Sequence, residues 1–389
     1  MKSNTKIQIV YSSFGDGHLQ AALALRQSFA SMGIHHVTMI DLFAEAYPRL
    51  NAISRYFYLQ STVRFPRLYG QLYRITNRNP KGWHGRLFHS FGKKRLVDSW
   101  NGERPDLIIH TFPQLAADEL RRQGYHSIPT FTVITDYVLH GRWIHPSTSG
   151  YFVATEELMN ALIAAGVPEH RVNVTGIPIR QHFSKSYDRE VLVKKYGFTA
   201  GCRRVLIMAG AYGVQSSVRS MIEITLGDTE CETIVVCGKN QNLKNEIEIA
   251  YRGEDKVHVL GYVENIHELM ALSDCMLTKA GGITLTEALV MRLPTIVYRP
   301  LPGQERGNAE YLAGHGAIAI ANDIYELSQQ LHNVLDPSHA AIMKAAMETV
   351  HYANSASLIS YEVLACHGLA EEMRPVVATA ERKAVSAHA

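Results

Sequence analysis

The run Lys279-Ala280-Gly281-Gly282-Ile283-Thr284-Leu285-Thr286-Glu287, followed by Pro302-Gly303-Gln304-Glu305 and Asn308, assembles residue types that can hold a nucleotide by its phosphates and its ribose. Asp274 to Thr278 is an apolar run suited to a buried strand and Ile283 to Arg292 is rich in helix formers, so the two glycines fall at a strand-to-helix turn. A helix N-terminus offers unpaired N–H donors and the positive end of its dipole. Glycines there let a diphosphate approach the main chain. Glu287, about one turn further on, can accept hydrogen bonds from two ribose hydroxyls. Gln304 and Glu305 would face the hydroxyls of an attached hexose, and Lys279 would help to meet the diphosphate charge. The plain alternative is a glycine cap before an ordinary helix; the company of Lys279, Thr284, Glu287 and the PGQE run argues against it.

A second constellation, Ser12-Ser13-Phe14-Gly15-Asp16-Gly17-His18, lies between the first strand and a helix that begins near Leu19. The dipole at a helix start disfavours added positive charge, so a neutral imidazole is expected at His18, as a general base requires. In a single inverting displacement that base removes the proton of the acceptor hydroxyl while a nucleoside diphosphate departs. A capping or core histidine, or one that only orients the acceptor, is the competing reading. Asp136, at the end of the strand Thr130 to Thr135, is a secondary catalytic candidate, with a turn or cap role as its alternative. His140 lies four residues beyond it, but no third ligand has metal-site spacing. No metal cofactor is expected; main-chain donors would take its place against the diphosphate.

Two rhythms of short apolar runs must position these groups. Ile7 to Ser12, Val37 to Ile40, Asp106 to Thr111, Thr130 to Thr135 and Gly150 to Ala154 form the first. Arg204 to Met208, Thr233 to Cys237, Lys256 to Leu260, Cys275 to Thr278 and Thr295 to Tyr298 form the second. Each alternates with helical stretches, the sign of a mostly parallel sheet. Ligands of such sheets bind beyond the carboxyl ends of the strands, so the two motif sets should face one another across a cleft. Residues 1–180 are read as the first domain, 181–203 as a polar linker and 204–336 as the second domain. Residues 337–372 are read as terminal helices and 373–389 as a frayed tail.

Composition agrees and excludes other classes. A chain of 389 residues with 46% hydrophobic content suits two soluble domains. Cys202, Cys231, Cys237, Cys275 and Cys366 make an odd set without C-x-x-C spacing, which points to neither a disulfide framework nor a zinc site. No apolar signal region or membrane-length span is visible, so a cytoplasmic protein is expected. Net charge is only +3, yet from Arg49 to Val97 there is no acidic residue, while Arg64, Arg67, Arg74 and Arg78 alternate with Tyr58, Phe65, Tyr69 and Tyr73. Such a stretch suits docking on an anionic membrane surface. Its alternative is a solvated basic face over core aromatics; nucleic acid is excluded for want of a recognition motif.

With Gly15-Asp16-Gly17-His18, Thr135-Asp136, Thr175-Gly176-Ile177-Pro178-Ile179-Arg180, Ala209-Gly210-Ala211-Tyr212-Gly213, Cys237-Gly238-Lys239-Asn240, Gly261-Tyr262-Val263 and the GGITLTE and PGQE runs in this order, the chain resembles the GT-B glycosyltransferases that build glycolipids. It is similar in particular to the processive diacylglycerol β-glucosyltransferases and monogalactosyldiacylglycerol synthases. The peptidoglycan N-acetylglucosaminyltransferase is a more distant relative. Ala280 stands where proline is usual before GG, and Tyr212 where histidine is common. The resemblance implies an α/β GT-B fold of two Rossmann-like domains, with C-terminal helices returning to the first. It implies donor contacts from Gly17, Gly210, Tyr212, Gly213, Gly238, Val263, Lys279, Gly281, Gly282, Ile283, Thr284, Glu287, Gln304, Glu305 and Asn308, and places His140 and Trp143 on the acceptor side. The implied reaction moves a hexose, glucose by family likeness alone, from a UDP-sugar to a diacylglycerol-type lipid at the inner membrane face. A soluble acceptor, a UDP-N-acetylglucosamine 2-epimerase and a non-catalytic UDP-sugar sensor are the alternatives.

Overall fold

In the computed structural model the described residues are 4–13, 16–48, 88–100, 102–209, 218–228 and 230–366. The first sheet holds strands β1 (Ile7–Tyr11), β2 (Val37–Asp41), β3 (Leu107–His110), β4 (Thr130–Val133), β5 (Gly150–Val153) and β6 (Val172–Val174), the first five from the first rhythm of apolar runs. The second sheet holds β7 (Arg204–Met208), β8 (Glu232–Val236), β9 (Val257–Leu260), β10 (Cys275–Thr278), β11 (Thr295–Tyr298) and β12 (Ala319–Ala321), the first five from the second rhythm. They form two six-stranded sheets, ordered β2-β1-β3-β4-β5-β6 and β12-β11-β10-β7-β8-β9, with parallel pairing throughout. Every residue of β3, β4, β5, β8, β10 and β11 is buried, as helices on both faces require. These are two Rossmann-like domains. The two strands without a counterpart in the sequence reading, β6 and β12, are three-residue sheet edges, too short for periodicity to register.

Strand order reverses between β1 and β3 in the first sheet and between β7 and β10 in the second. Crevices open at such reversals beyond the strand carboxyl ends. The chain leaves β1 toward the helix Asp16–Ser31, which carries His18, and leaves β3 at Thr111. It leaves β10 through Lys279 to the helix Gly282–Val290. His18 and the Gly281 turn therefore sit at switch points because of strand order, although they are far apart in sequence.

Residues 181–203 are folded rather than extended. Asp188 caps the helix Arg189–Tyr196, Gly197 ends it in a left-handed conformation, and Leu192 and Phe183 are buried with Leu269 and Leu272 of the second domain. Of the terminal helices, Pro337–Val350 packs on the second-domain helices Gly282–Val290 and Ile324–Leu335. Ser355–Ala365 returns to the first domain, where Ile359 and Val363 join Leu25 and Phe29. At the crossing, Gly176 has φ +79, and a Cβ there would stand 2.6 Å from Tyr352 Cβ.

At the start of the second sheet Arg204 is paired in register with Glu232, and its guanidinium, 1% exposed, meets that carboxylate at 3.0 Å. Removing one partner of a buried ion pair strands the other charge. Glu232→Ala is therefore expected to destabilise the second domain by about 3–5 kcal/mol, read as a lower thermal midpoint. A midpoint equal to that of the parent protein would show that the pair carries no such weight.

Candidate active site

His18 enters the crevice of the first domain from the first turn of Asp16–Ser31. Its Nδ1 lies 2.7 Å from the carbonyl of Thr111 and 3.1 Å from Thr135 Oγ1. A carbonyl only accepts, so Nδ1 carries the proton and Nε2 of the neutral ring is left as the basic nitrogen. Thr111 also donates through Oγ1 to the carbonyl of His18 at 3.0 Å, which locks the backbone beneath the ring. Phe112 stands edge-on to the imidazole at 5.0 Å, and Trp143 lies at 6.2 Å. Desolvation lowers the His18 pKa, opposed by nearby Asp136 and by the Thr111 carbonyl. The ring is thus held neutral with a defined tautomer.

The second domain supplies a socket around Gly281. A Cβ on this glycine would have Thr284 Oγ1 as its nearest neighbour, at 4.0 Å, so the space before the helix is open. One turn into that helix Glu287 is buried and pushed up to about 8 by desolvation, with Arg180 opposing the shift. Lys279 Nζ pairs with Glu305 Oε1 at 2.9 Å, so both ends of the expected sugar and phosphate contacts come together at one place. Gly303, at φ 102, turns the chain so that Gln304 and Glu305 begin the helix Gln304–Gly314. Gly238 and Val263 lie beyond β8 and β9 at the same edge of the sheet.

Four of the residues expected at the donor, Gly282, Asn308, Ile283 and Gly17, are engaged at the contact between the domains. A Cβ on Gly282 would lie 2.2 Å from the carbonyl oxygen of Thr135, so this glycine makes room for the first domain. Asn308, 1% exposed, has a saturated amide: Nδ2 donates to Asp136 Oδ1 at 3.0 Å and to the Ala280 carbonyl at 3.2 Å, while Oδ1 accepts from the Tyr137 amide at 2.8 Å. Ile283 is 5% exposed and packs on Gly17, whose added Cβ would meet its Cγ1 at 3.3 Å; both serve the contact between domains. Asp136 is fully enclosed, with its pKa raised by burial and opposed by hydrogen bonds from Asn308 and Gln304.

His140 has a local structural role. Its Nδ1 accepts from the Arg142 amide at 3.1 Å and caps the short turn Gly141–Trp143. Trp143, 2% exposed, belongs to the apolar cluster between the domains. Gly210, Tyr212 and Gly213, and the arginines Arg64, Arg67, Arg74 and Arg78, lie outside the described residues. Sequence reasoning missed Tyr137 and Thr111, and gave Thr135 no role beyond its place in the Thr135-Asp136 block. It also missed the Lys239–Asp16 ion pair, 3.0 Å across the domain boundary. Among the described residues no group of three or more His, Cys, Asp or Glu side chains could hold a metal ion.

Two Rossmann-like domains, each offering its switch point to a shared cleft, define a GT-B protein. The architecture matches the S. aureus MnaA–UDP co-structure with a TM-score of 0.61 at 13% identity, over 94% of this chain and 97% of that one. Residues 18–179 match the family described as monogalactosyldiacylglycerol (MGDG) synthase, and residues 205–363 match the glycosyltransferase family 28 C-terminal domain. The chain is 37% identical over 371 residues to a processive diacylglycerol beta-glucosyltransferase of Bacillus mycoides (strain KBAB4), covering 94% of this chain and 95% of the relative. It is 36% identical over 366 residues to the one of Bacillus subtilis (strain 168), covering 94% and 96%. The chain therefore belongs to the processive diacylglycerol β-glucosyltransferase family and is a glycosyltransferase.

The raised Glu287 pKa has a sign that can be measured. The folded protein keeps a proton up to about 8 that the unfolded chain, at the ordinary 4.5, has released, so stability is highest below 4.5 and is lost as pH rises toward 8. Without nucleotide, Glu287→Gln should gain stability relative to the parent between about pH 5 and pH 8, by at most about 1.4 kcal/mol per pH unit. A difference in thermal midpoint that does not change with pH would contradict the buried, protonated carboxyl.

Proposed function

We propose that this protein transfers glucose, with inversion, from UDP-glucose to diacylglycerol or to a glycosyl-diacylglycerol, and that it works on the cytosolic face of the membrane. The carrying observation is a neutral His18, with its Nδ1 proton committed to a carbonyl, standing across a domain contact from a socket with an open glycine and a buried carboxyl. The relatives at 36–37% identity are named for diacylglycerol glucosylation, which supports the acceptor and the sugar.

The uridine ribose donates its hydroxyls to Glu287, and amides at the start of Gly282–Val290 meet the diphosphate. Lys279, released from Glu305, joins them; Glu305 and Gln304 turn to the hexose. His18 Nε2 takes the acceptor hydroxyl proton as its oxygen attacks the anomeric carbon, and UDP leaves from the opposite face. Asp136 stabilises the imidazolium that forms. The acceptor half falls in residues 1–180 and the donor half in 204–336. The basic segment from Arg49 to Val97, which has no acidic residue, docks the protein on anionic lipid.

Purified protein in mixed vesicles containing diacylglycerol, offered UDP-glucose, UDP-galactose and UDP-N-acetylglucosamine, tests this directly by mass spectrometry of the lipids. Glucosylated diacylglycerol from UDP-glucose is the expected product, and His18→Ala should lower kcat by about 10²–10⁴-fold with UDP affinity retained. Sugar-nucleotide turnover that needs no lipid, or a His18 variant with normal turnover, would contradict the proposal.

A further inference from the structure

Two glycines of the second domain have no room for a side chain, and both face the same four residues of the first. Gly282 meets the Thr135 carbonyl, and a Cβ on Gly307 would lie 2.9 Å from both Cγ atoms of Val138. Between these contacts Asn308 joins the Tyr137 amide and Asp136 to the Ala280 carbonyl. Tyr137 adds a further link through its hydroxyl, 2.8 Å from Thr286 Oγ1. The threonine commits its own proton to the Gly282 carbonyl, so the tyrosine is the donor. Its ring stacks on Tyr311 at 5.6 Å.

We propose that Gly307 and Asn308 are positioning residues that seat Thr135–Val138 between the first turns of Gly282–Val290 and Gln304–Gly314, and thereby fix how far the base stands from the donor socket. The same segment holds the catalytic machinery of the first domain. Thr135 Oγ1 shares the Nδ1 proton of His18, and Asp136 is its electrostatic neighbour. A side chain that lifts Val138 from its seat displaces Thr135 and Asp136 relative to Gly281. Displacements of about 1 Å between reacting groups can cost on the order of 10²-fold in rate. The inference rests on the transfer reading above for which step slows; the seat itself is geometric.

Gly307→Ala isolates the effect. Alanine is the better helix former, so the helix Gln304–Gly314 is not weakened by the change, and any loss must come from the new Cβ against Val138. The variant should lose at least about 30-fold in kcat while UDP affinity by calorimetry stays within about twofold. Adding Val138→Ala removes both Cγ atoms and should restore kcat to within about threefold of the parent. Spin labels placed on the two domains should report a longer distance for Gly307→Ala and the parent distance for the double variant. This arm reads the seat even if the acceptor or the sugar has been misassigned. Asn308→Ala should also lower kcat with UDP affinity kept. Normal kcat and distance in Gly307→Ala, a double variant as slow as the single, or a loss of UDP affinity alone would each overturn the proposal.

Discussion

The amide of Asn308 is shared by both halves of the site, and it is buried where water cannot substitute for any of its partners. If it were withdrawn, the Tyr137 N–H, the Ala280 carbonyl and an oxygen of Asp136 would all lose a partner, at about 1–3 kcal/mol for each group left unsatisfied. That cost ties the end of β4 to the turn after β10 in one arrangement. The apolar cluster around it enforces the same choice, because Ala21, Trp143 and Ile177 of the first domain pack with Ile283, Leu285 and Leu312 of the second. Van der Waals contact alone would tolerate sliding; the directional amide bonds and the glycine clearances do not.

Burial also sets the chemistry. Taking His18 out of water lowers its pKa and keeps the imidazole neutral, while the same process raises Glu287 and leaves its carboxyl in need of partners. One half of the cleft thus offers an acceptor for a proton, and the other a carboxyl that ribose hydroxyls can satisfy. Lys279 and Glu305 neutralise each other without donor, so a charged site need not be held open. Lowering the electrostatic cost of the donor-free form in this way lets the donor exchange one set of partners for another.

Strong local signals made much of this legible from sequence. Buried central strands appear as apolar runs, and the strand Cys275–Thr278 was legible to the residue. Gly281 stands beside open space because its environment is set by its own turn. Gly282 looks identical in sequence, yet its space is taken by Thr135, a residue 147 positions earlier, and nothing local distinguishes the two. Asn308 and Tyr137 were opaque for the same reason: an amide able to hold a sugar hydroxyl is equally able to hold a peptide, and only the approach of the domains decides. Gly307 carries no motif at all. The short edges β6 and β12 were lost because three residues cannot display a period.

A crystal structure of the full chain with UDP tests the central claim, that the domain contact and the nucleotide socket coexist, more directly than any rate. The account predicts ribose hydroxyls within hydrogen-bond distance of Glu287, the diphosphate over Gly281, and the Asn308 amide still joined to Tyr137, Asp136 and Ala280. UDP bound without contact to Glu287, or an Asn308 amide turned from Asp136 onto the nucleotide, would contradict it.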